Sequence, residues 1–198
     1  VYPYTIEGGD LLVLRHDVVA IGVSERTRAG TVQIVGRRLA QKAGVRKVLA
    51  VDIPKIRASM HLDTVFTMVD RDAFTIYPDL RKSVRVTELL FEEDGKLLSI
   101  KEHESLDSSL QHVLDLESPR FIETGGGDPV LAARDQWNDG TNTLSIAPGV
   151  VVTYRRNVIS NQYLRDQGIK VYEIRGAELG RGRGGPRCMS HPLLRDPI

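Results

Sequence analysis

The sequence predicts an α/β fold built from three repeated strand–turn–strand–helix–strand units around a common axis. β-rich runs alternate with helical segments along the chain, and a short turn separates the two strands of each hairpin. The third observation is a repeat: an Asp or Asn opens each unit, and a turn residue follows seven positions later, at 10–17, 63–70 and 142–149. Repeated modules around one axis present the same position to the same place, so the sequence predicts that these opening residues converge.

The predicted elements follow from apolar periodicity and from the turn residues that interrupt it. In chain order they are strands at 11–14 and 18–23, a helix at 31–43 stopped by Gly44, a strand at 48–51, strands at 64–69 and 73–77, a helix at 106–116, strands at 144–146 and 150–154, a helix at 159–166 stopped by Gly168, a strand at 171–174, and a loop at 180–198.

Length and composition exclude several classes of protein. The 198 residues suffice for one domain with a buried core, and 41% hydrophobic with 27% charged residues excludes a disordered chain. Lys and Arg number 27 against 26 Asp and Glu, so the net charge of +1 gives no basic excess for nucleic acid. Because no apolar run reaches 18 residues, we predict no membrane span. The chain opens on Val1 rather than Met, so we expect it to be part of a longer protein.

Cys188 is the single cysteine, which excludes an intrachain disulfide and predicts a reducing compartment, the cytoplasm. It follows the glycine- and arginine-rich segment 180–187, where cations and backbone N–H groups would favour a nucleophilic thiolate. A buried inert cysteine is the common alternative, but it needs an apolar neighbourhood. An arginine–glycine segment that binds RNA is a weaker alternative, because the run is short and has no interleaved aromatic residues.

His61 is the candidate proton shuttle for that cysteine. His61 and Asp63 are two residues apart, so on a strand both side chains would point to the same face. The remaining histidines have weaker claims because they lie in turns, polar segments or an irregular loop: His16, His103, His112 and His191. No CxxC or HExxH spacing occurs, so we predict no metal site.

Acidic residues at matching unit ends predict the substrate class. A Cys–His pair alone would also suit an acyl transferase or a thiol protease. Glu7, Asp10 and Asp63 would make the site acidic, and paired carboxylates bind a planar guanidinium through parallel charge-assisted bonds. Arg26 could bind a substrate carboxylate. The alternative for Asp10, Asp63 and Asn142 is local, because Asp and Asn often open turns by bonding nearby backbone groups.

Five motifs in order along the whole chain resemble the arginine deiminase family. They are Ile6–Asp10 (IEGGD), Ser24–Thr27 (SERT), Met60–Thr67 (MHLDTVFT), Trp137–Asn142 (WNDGTN) and Gly184–Ser190 (GGPRCMS). The resemblance implies a pentein fold, an α/β-propeller of five ββαβ modules about a pseudo-fivefold axis. It implies that residues 1–198 form the C-terminal part of one catalytic domain, with about three of the five modules.

The resemblance also implies the catalytic roles. Cys188 would attack the guanidinium carbon of L-arginine and carry a covalent amidino intermediate. His61 would protonate the departing ammonia and then activate water, and Glu7 would orient His61. The products would be L-citrulline and ammonia, with no cofactor. A bound guanidinium would itself favour the thiolate.

The predicted substrate-binding residues come from both the resemblance and the repeat. Asp63 would bond the guanidinium nitrogens, Arg26 would hold the α-carboxylate, and Arg183 would gate the site from the loop before the cysteine. The repeat adds Asp10 and Asn142 to the residues expected at the substrate.

Members of the arginine deiminase family are about twice as long as this chain. We therefore expect the chain alone to be inactive or very weak, to need the N-terminal half as a partner, and to form a homo-oligomer when complete, without nucleic acid or membrane. Two alternatives stay open: another guanidine-modifying pentein (agmatine deiminase, dimethylarginine hydrolase or amidinotransferase), or a non-catalytic module that binds a guanidinium. Arg26 discriminates among the enzymes, since agmatine has no carboxylate.

Overall fold

The computed structural model describes residues 4–182 and 184–195 and shows a mixed α/β protein. Its strands and helices, in chain order, are β1 Leu11–Arg15, β2 Val18–Val23, α1 Ala29–Ala43, β3 Lys47–Asp52, β4 Phe66–Met68, β5 Ala73–Ile76, α2 Pro78–Ser83, β6 Arg85–Phe91, β7 Leu97–His103, α3 Leu106–Leu114, β8 Arg120–Glu123, α4 Pro129–Trp137, β9 Leu144–Ala147, β10 Val150–Tyr154, α5 Val158–Asp166 and β11 Lys170–Ile174. The chain divides into two compact units, residues 1–62 with 80–119, and residues 63–79 with 120–198.

The first unit contains a five-stranded sheet in the order β1–β2–β3–β6–β7. Helix α1 covers it and buries Val32 and Ala40 against a core that includes Ile21, Val48 and Phe91. The helix ends at Gly44, whose left-handed backbone (φ 71°) closes the last turn through a bond to the Leu39 carbonyl. This capping is the physical basis of the stop signal that the sequence predicted.

The second unit contains two three-stranded sheets, β4–β5–β8 and β11–β10–β9. An apolar core joins strand and helix residues, among them Val69, Ile122, Val151 and Leu164. None of the three sheets formed by the described residues closes on itself.

The strand pairing confirms the predicted repeat of the ββαβ pattern. In three places an antiparallel pair is followed by a parallel partner: β1–β2 with β3, β4–β5 with β8, and β9–β10 with β11. The first and third copies cross over through one helix, α1 or α5, because a parallel pair needs a long connection. The middle copy crosses over through residues 77–119, which hold two helices and the β6–β7 hairpin.

Several sequence-based boundaries and elements were wrong. The strand predicted at 64–69 is shorter, because residues 62–64 form a turn of 3-10 helix and β4 begins only at Phe66. The predicted loop at 180–198 begins inside a short 3-10 helix, Leu179–Gly182. Five elements were not predicted at all: α2, β6, β7, β8 and α4.

Among the described residues, no helix has both the length and the apolar character needed to cross a bilayer.

Candidate active site

His61 in the first unit is held by a carboxylate. Its Nε2 lies 2.6 Å from Oε2 of Glu7, and the same oxygen accepts a hydrogen bond from Nη1 of Arg26 at 3.1 Å. Desolvation opposes ionisation of Glu7, but the hydrogen bonds from His61 and Arg26 outweigh it and lower the pKa of Glu7. Glu7 is therefore a carboxylate near neutral pH, and His61 presents Nε2–H to it. This contact leaves Nδ1 as the other proton-carrying position of the ring.

The glycines of the IEGGD segment explain how the imidazole comes so close to the chain. A Cβ placed on Gly9 would lie 2.8 Å from Cγ and Nδ1 of His61, so only glycine lets the backbone pack against this ring. The backbone N–H of Glu7 also donates to the Thr27 hydroxyl at 3.3 Å. Both contacts fix the start of this segment beside His61.

Asp10 accepts hydrogen bonds from three residues of the first unit, and its predicted contact with substrate stays a prediction. It is fully buried, and its Oδ2 accepts hydrogen bonds from the hydroxyls of Ser24 and Thr27 at 2.7 and 2.6 Å. Its Oδ1 accepts from the backbone N–H of Leu62 at 2.9 Å. A buried carboxylate needs such donors, and here they use both oxygens. Asp10 thus positions the residue that follows His61.

His61 and Asp63 do not lie on one strand, so the argument that both point to the same strand face was wrong. Residues 62–64 form the 3-10 turn, and strand alternation does not apply there. Leu62 and Val65, three positions apart, are both fully buried. This spacing fits one turn of 3-10 helix and was the available signal in the sequence.

Asp63 in the second unit bonds a guanidinium and lies beside the cysteine. The residue is fully buried. Its Oδ2 accepts a hydrogen bond from Nη1 of Arg187 at 2.6 Å and lies 3.7 Å from Sγ of Cys188. One carboxylate oxygen therefore binds a guanidinium within reach of a thiol. Sequence reasoning missed the role of Arg187, because its partner is 124 residues away in the chain.

The surroundings of Cys188 favour the thiol over the thiolate. Desolvation by the surrounding chain and the nearby charge of Asp63 raise the pKa of Cys188 to about 11, although the residue keeps an exposed surface. The prediction that neighbouring arginines favour a thiolate was therefore wrong for the free protein. Arg187, the nearest arginine in sequence, directs its charge to Asp63.

Asn142 bridges the segments that carry Asp63 and Cys188. Its Oδ1 accepts a hydrogen bond from the backbone N–H of Cys188 at 3.0 Å, and its Nδ2 donates to the carbonyl of Asp63 at 3.3 Å. The side chain is fully buried. The repeat thus brings Asn142 and Asp63 together as predicted, but Asn142 meets backbone groups and positions the site.

Two further predictions concern Arg183 and metal binding. Arg183 lies outside the described residues, so its predicted gating role stays a prediction. Across residues 4–182 and 184–195, no group of three or more His, Cys, Asp or Glu side chains could hold a metal ion.

The fold is shared with several solved structures. A mutant of DDAH from Pseudomonas aeruginosa, complexed with citrulline, superposes with a TM-score of 0.61 at 17% identity over 93% of this chain and 55% of its own. Inosamine-phosphate amidinotransferase from Streptomyces griseus gives a TM-score of 0.62 at 15% identity, over 95% of this chain and 46% of its own. These likenesses define the chain as an α/β protein of that structural class.

Comparison of the sequence with known families identifies one family within this structural class. The profile described as "ADI: Arginine deiminase" matches residues 2–195, so this chain belongs to the arginine deiminase family. Arginine deiminase of Staphylococcus aureus (strain MRSA252) is 52% identical over 99% of this chain and 49% of its own length. The chain thus spans about half the length of the curated relatives it matches.

Proposed function

We propose that this chain supplies the cysteine-bearing part of an enzyme that hydrolyses L-arginine to L-citrulline and ammonia. The observation that carries the proposal is the double contact of Asp63: its Oδ2 bonds the guanidinium of Arg187 at 2.6 Å and lies 3.7 Å from the Cys188 sulfur. A substrate guanidinium on the same carboxylate would have its carbon within reach of the thiol. Membership of the arginine deiminase family and the match to the Staphylococcus aureus enzyme support the same reaction.

The proposed first step is attack by Cys188 on the guanidinium carbon. The bound cation lowers the thiol pKa from about 11 by favouring the thiolate. A C–S bond forms, one C–N bond breaks, and ammonia leaves with a proton from His61. The carbon then remains on sulfur as a covalent amidino intermediate.

The proposed second step is hydrolysis of that intermediate. His61 takes a proton from water as the oxygen attacks the same carbon, and the C–S bond breaks to release citrulline and restore the thiol. Glu7 keeps the ring of His61 oriented through the 2.6 Å contact. We assign Asp63 to the guanidinium nitrogens, Arg26 to the α-carboxylate, and Arg183 to control of access. Neither step needs a cofactor.

The proposal extends to the architecture of the whole enzyme. The three ββαβ motifs would be three of the five modules of a pentein propeller, and residues 1–198 the C-terminal part of one catalytic domain. Catalysis would need the half of the family's length that this chain does not span, and the complete enzyme would form a homo-oligomer. A lone cysteine fits a protein of the cytoplasm.

Turnover by the natural full-length protein tests the reaction. We expect L-arginine to yield citrulline and ammonia in equal amounts, and Cys188→Ser to abolish turnover while arginine binding persists. Ser99→Ala, at an exposed position of β7, is the control and should keep most of the activity. Turnover by the Cys188→Ser variant would remove the thiol mechanism. Activity on agmatine but not arginine would instead favour an agmatine deiminase.

Complementation tests the requirement for a second half. We expect the purified 198-residue chain to give little or no citrulline alone and to gain activity when mixed with the unmatched half of the Staphylococcus aureus relative. Full activity of the 198-residue chain by itself would contradict the proposal.

A further inference from the structure

Tyr154 contacts the chain on both sides of the cysteine. It ends β10 and is fully buried. Its hydroxyl donates to the carbonyl oxygen of Gly184 at 2.9 Å and lies 3.8 Å from Sδ of Met189. Gly184 precedes Cys188 and Met189 follows it, so one phenol spans the nucleophile segment 184–189.

The ring of Tyr154 is fixed. A Cβ on Gly176 would lie 2.4 Å from the ring, so the backbone there packs directly against it. The guanidinium carbon of Arg156 sits 5.0 Å from the ring centroid, within the range of a cation–π contact. Burial, aided by Asp139 and Cys188 against the opposing charge of Arg156, raises the pKa of Tyr154. The hydroxyl therefore keeps its proton and acts as a donor at neutral pH.

The position of Gly184 is coupled to that of Cys188. The backbone of Gly184 has φ 127°, a conformation that favours glycine, and a Cβ there would lie 3.0 Å from Cβ of Cys188. The segment therefore packs closely upon itself, and a shift of the Gly184 carbonyl would move the cysteine. Asn142 holds the Cys188 N–H at the other end of the segment.

We propose that Tyr154 is a positioning residue, whose hydroxyl anchors segment 184–189 and keeps the Cys188 thiol in its place beside Asp63. The inference rests on the proposed function for its effect on catalysis, since a well-placed nucleophile matters only if Cys188 reacts with substrate. Its structural consequence, the position of the sulfur beside the charge of Asp63, stands by itself.

The test is Tyr154→Phe in the natural full-length protein, because this change removes one oxygen and keeps the ring. If the anchor is lost, the sulfur moves away from the Asp63 carboxylate, whose charge helps to raise the pKa of the thiol. That pKa should then fall, and iodoacetamide should alkylate Cys188 about tenfold faster at pH 8 for each unit of the fall. Turnover of arginine should decrease instead, with kcat about tenfold lower and KM within about twofold, because the nucleophile is misplaced. Any further cysteine of the full-length protein is excluded by mass mapping of the Cys188 peptide.

Tyr172→Phe is the matched control, because Tyr172 lies on β11 with its ring 46% exposed. It should leave alkylation and turnover as in the parent. An alkylation pH profile of Tyr154→Phe that equals the parent's would overturn the inference, as would faster alkylation accompanied by loss of cooperative unfolding. The two proposals fail separately: if the parent protein does not turn over arginine, the proposed function fails, and the alkylation profile still decides the role of Tyr154.

Discussion

The Oδ2 atom of Asp63 lies 3.7 Å from the sulfur of Cys188, and it is the nearest negative charge that raises the pKa of this thiol. The same carboxylate is the proposed guanidinium-binding group. In the free protein this charge favours the neutral thiol. Under the proposed function, the arriving cation would both occupy the site and favour the thiolate, since a guanidinium offsets the charge of Asp63.

Asp63→Asn should separate these two effects. Burial keeps part of the pKa elevation, but without the carboxylate charge the pKa of Cys188 should fall below about 11. The pH profile of alkylation should therefore shift to lower pH, while KM for arginine rises at least about tenfold because a charged hydrogen bond to the guanidinium is lost. Asp166→Asn, on α5, should change neither quantity. An unshifted alkylation profile would show that Asp63 does not control the thiol.

Glu7→Gln should slow turnover through His61. The amide keeps the size of the side chain but replaces a charge-assisted hydrogen bond with a weaker neutral one, so the imidazole is held less firmly. We expect kcat to fall about 100-fold, the range of general acid–base contributions. The neighbouring exposed Glu25→Gln is the control. Steady-state kinetics decide the matter, and an unchanged kcat would remove Glu7 from the mechanism.

The repeat could be predicted from the sequence because its signals are local. Strand alternation, polar turns and the glycine that ends α1 depend on neighbouring residues alone. Helix α4 was missed for a physical reason: only Ala132, Asp135 and Gln136 are buried, so the helix has no apolar stripe for periodicity to find. The sequence did contain a capping signal, an Asp followed by Pro129 at the first turn. In the structure the side chain of Asp128 accepts hydrogen bonds from the backbone N–H groups of residues 130 and 131.

The contacts within the candidate site were harder to predict from the sequence than the residues that form it. The motifs single out Cys188, His61 and Asp63, but Asp63 and Cys188 lie 125 positions apart and their contact depends on tertiary structure. The same holds for the Tyr154 hydroxyl on Gly184. Arginines near Cys188 in sequence indicated a thiolate. Desolvation and the carboxylate of Asp63, which is far away in sequence but 3.7 Å from the sulfur, instead raise the pKa of the thiol.

Asp10→Asn should destabilise the fold. The amide oxygen can still accept hydrogen bonds from the hydroxyls of Ser24 and Thr27. The NH2 group would then face the backbone N–H of Leu62, so that two buried donors meet without an acceptor. A buried group left without its partner costs about 2 kcal/mol, so the free energy of unfolding should fall by that amount. Urea denaturation measures it, with exposed Asp166→Asn expected within about 0.5 kcal/mol of the parent. Equal stability of Asp10→Asn and the parent would contradict a structural role for Asp10.

Asp72 and Arg120 should give a pH-dependent contribution to stability. Arg120 heads β8 and bonds both oxygens of Asp72, in the β4–β5 turn, at 2.8 and 2.9 Å. The hydrogen bonds from Arg120 outweigh desolvation and lower the pKa of Asp72 below its usual 3.8. A carboxyl whose pKa is lower in the folded state stabilises the fold above its ordinary pKa, and that contribution is lost as the pH falls through the folded value.

Asp72→Asn should therefore cost stability at pH 7 and less at about pH 2, because the contribution is lost as the pH falls through the lowered pKa of the folded state. Both side chains are about 40% exposed, so solvent screening limits the cost at pH 7 to about 1 kcal/mol or less. Urea denaturation at the two pH values, with Asp166→Asn beside it, measures the difference. A cost that stays the same at both pH values would mean that packing in the turn, rather than the charge of Asp72, accounts for the effect.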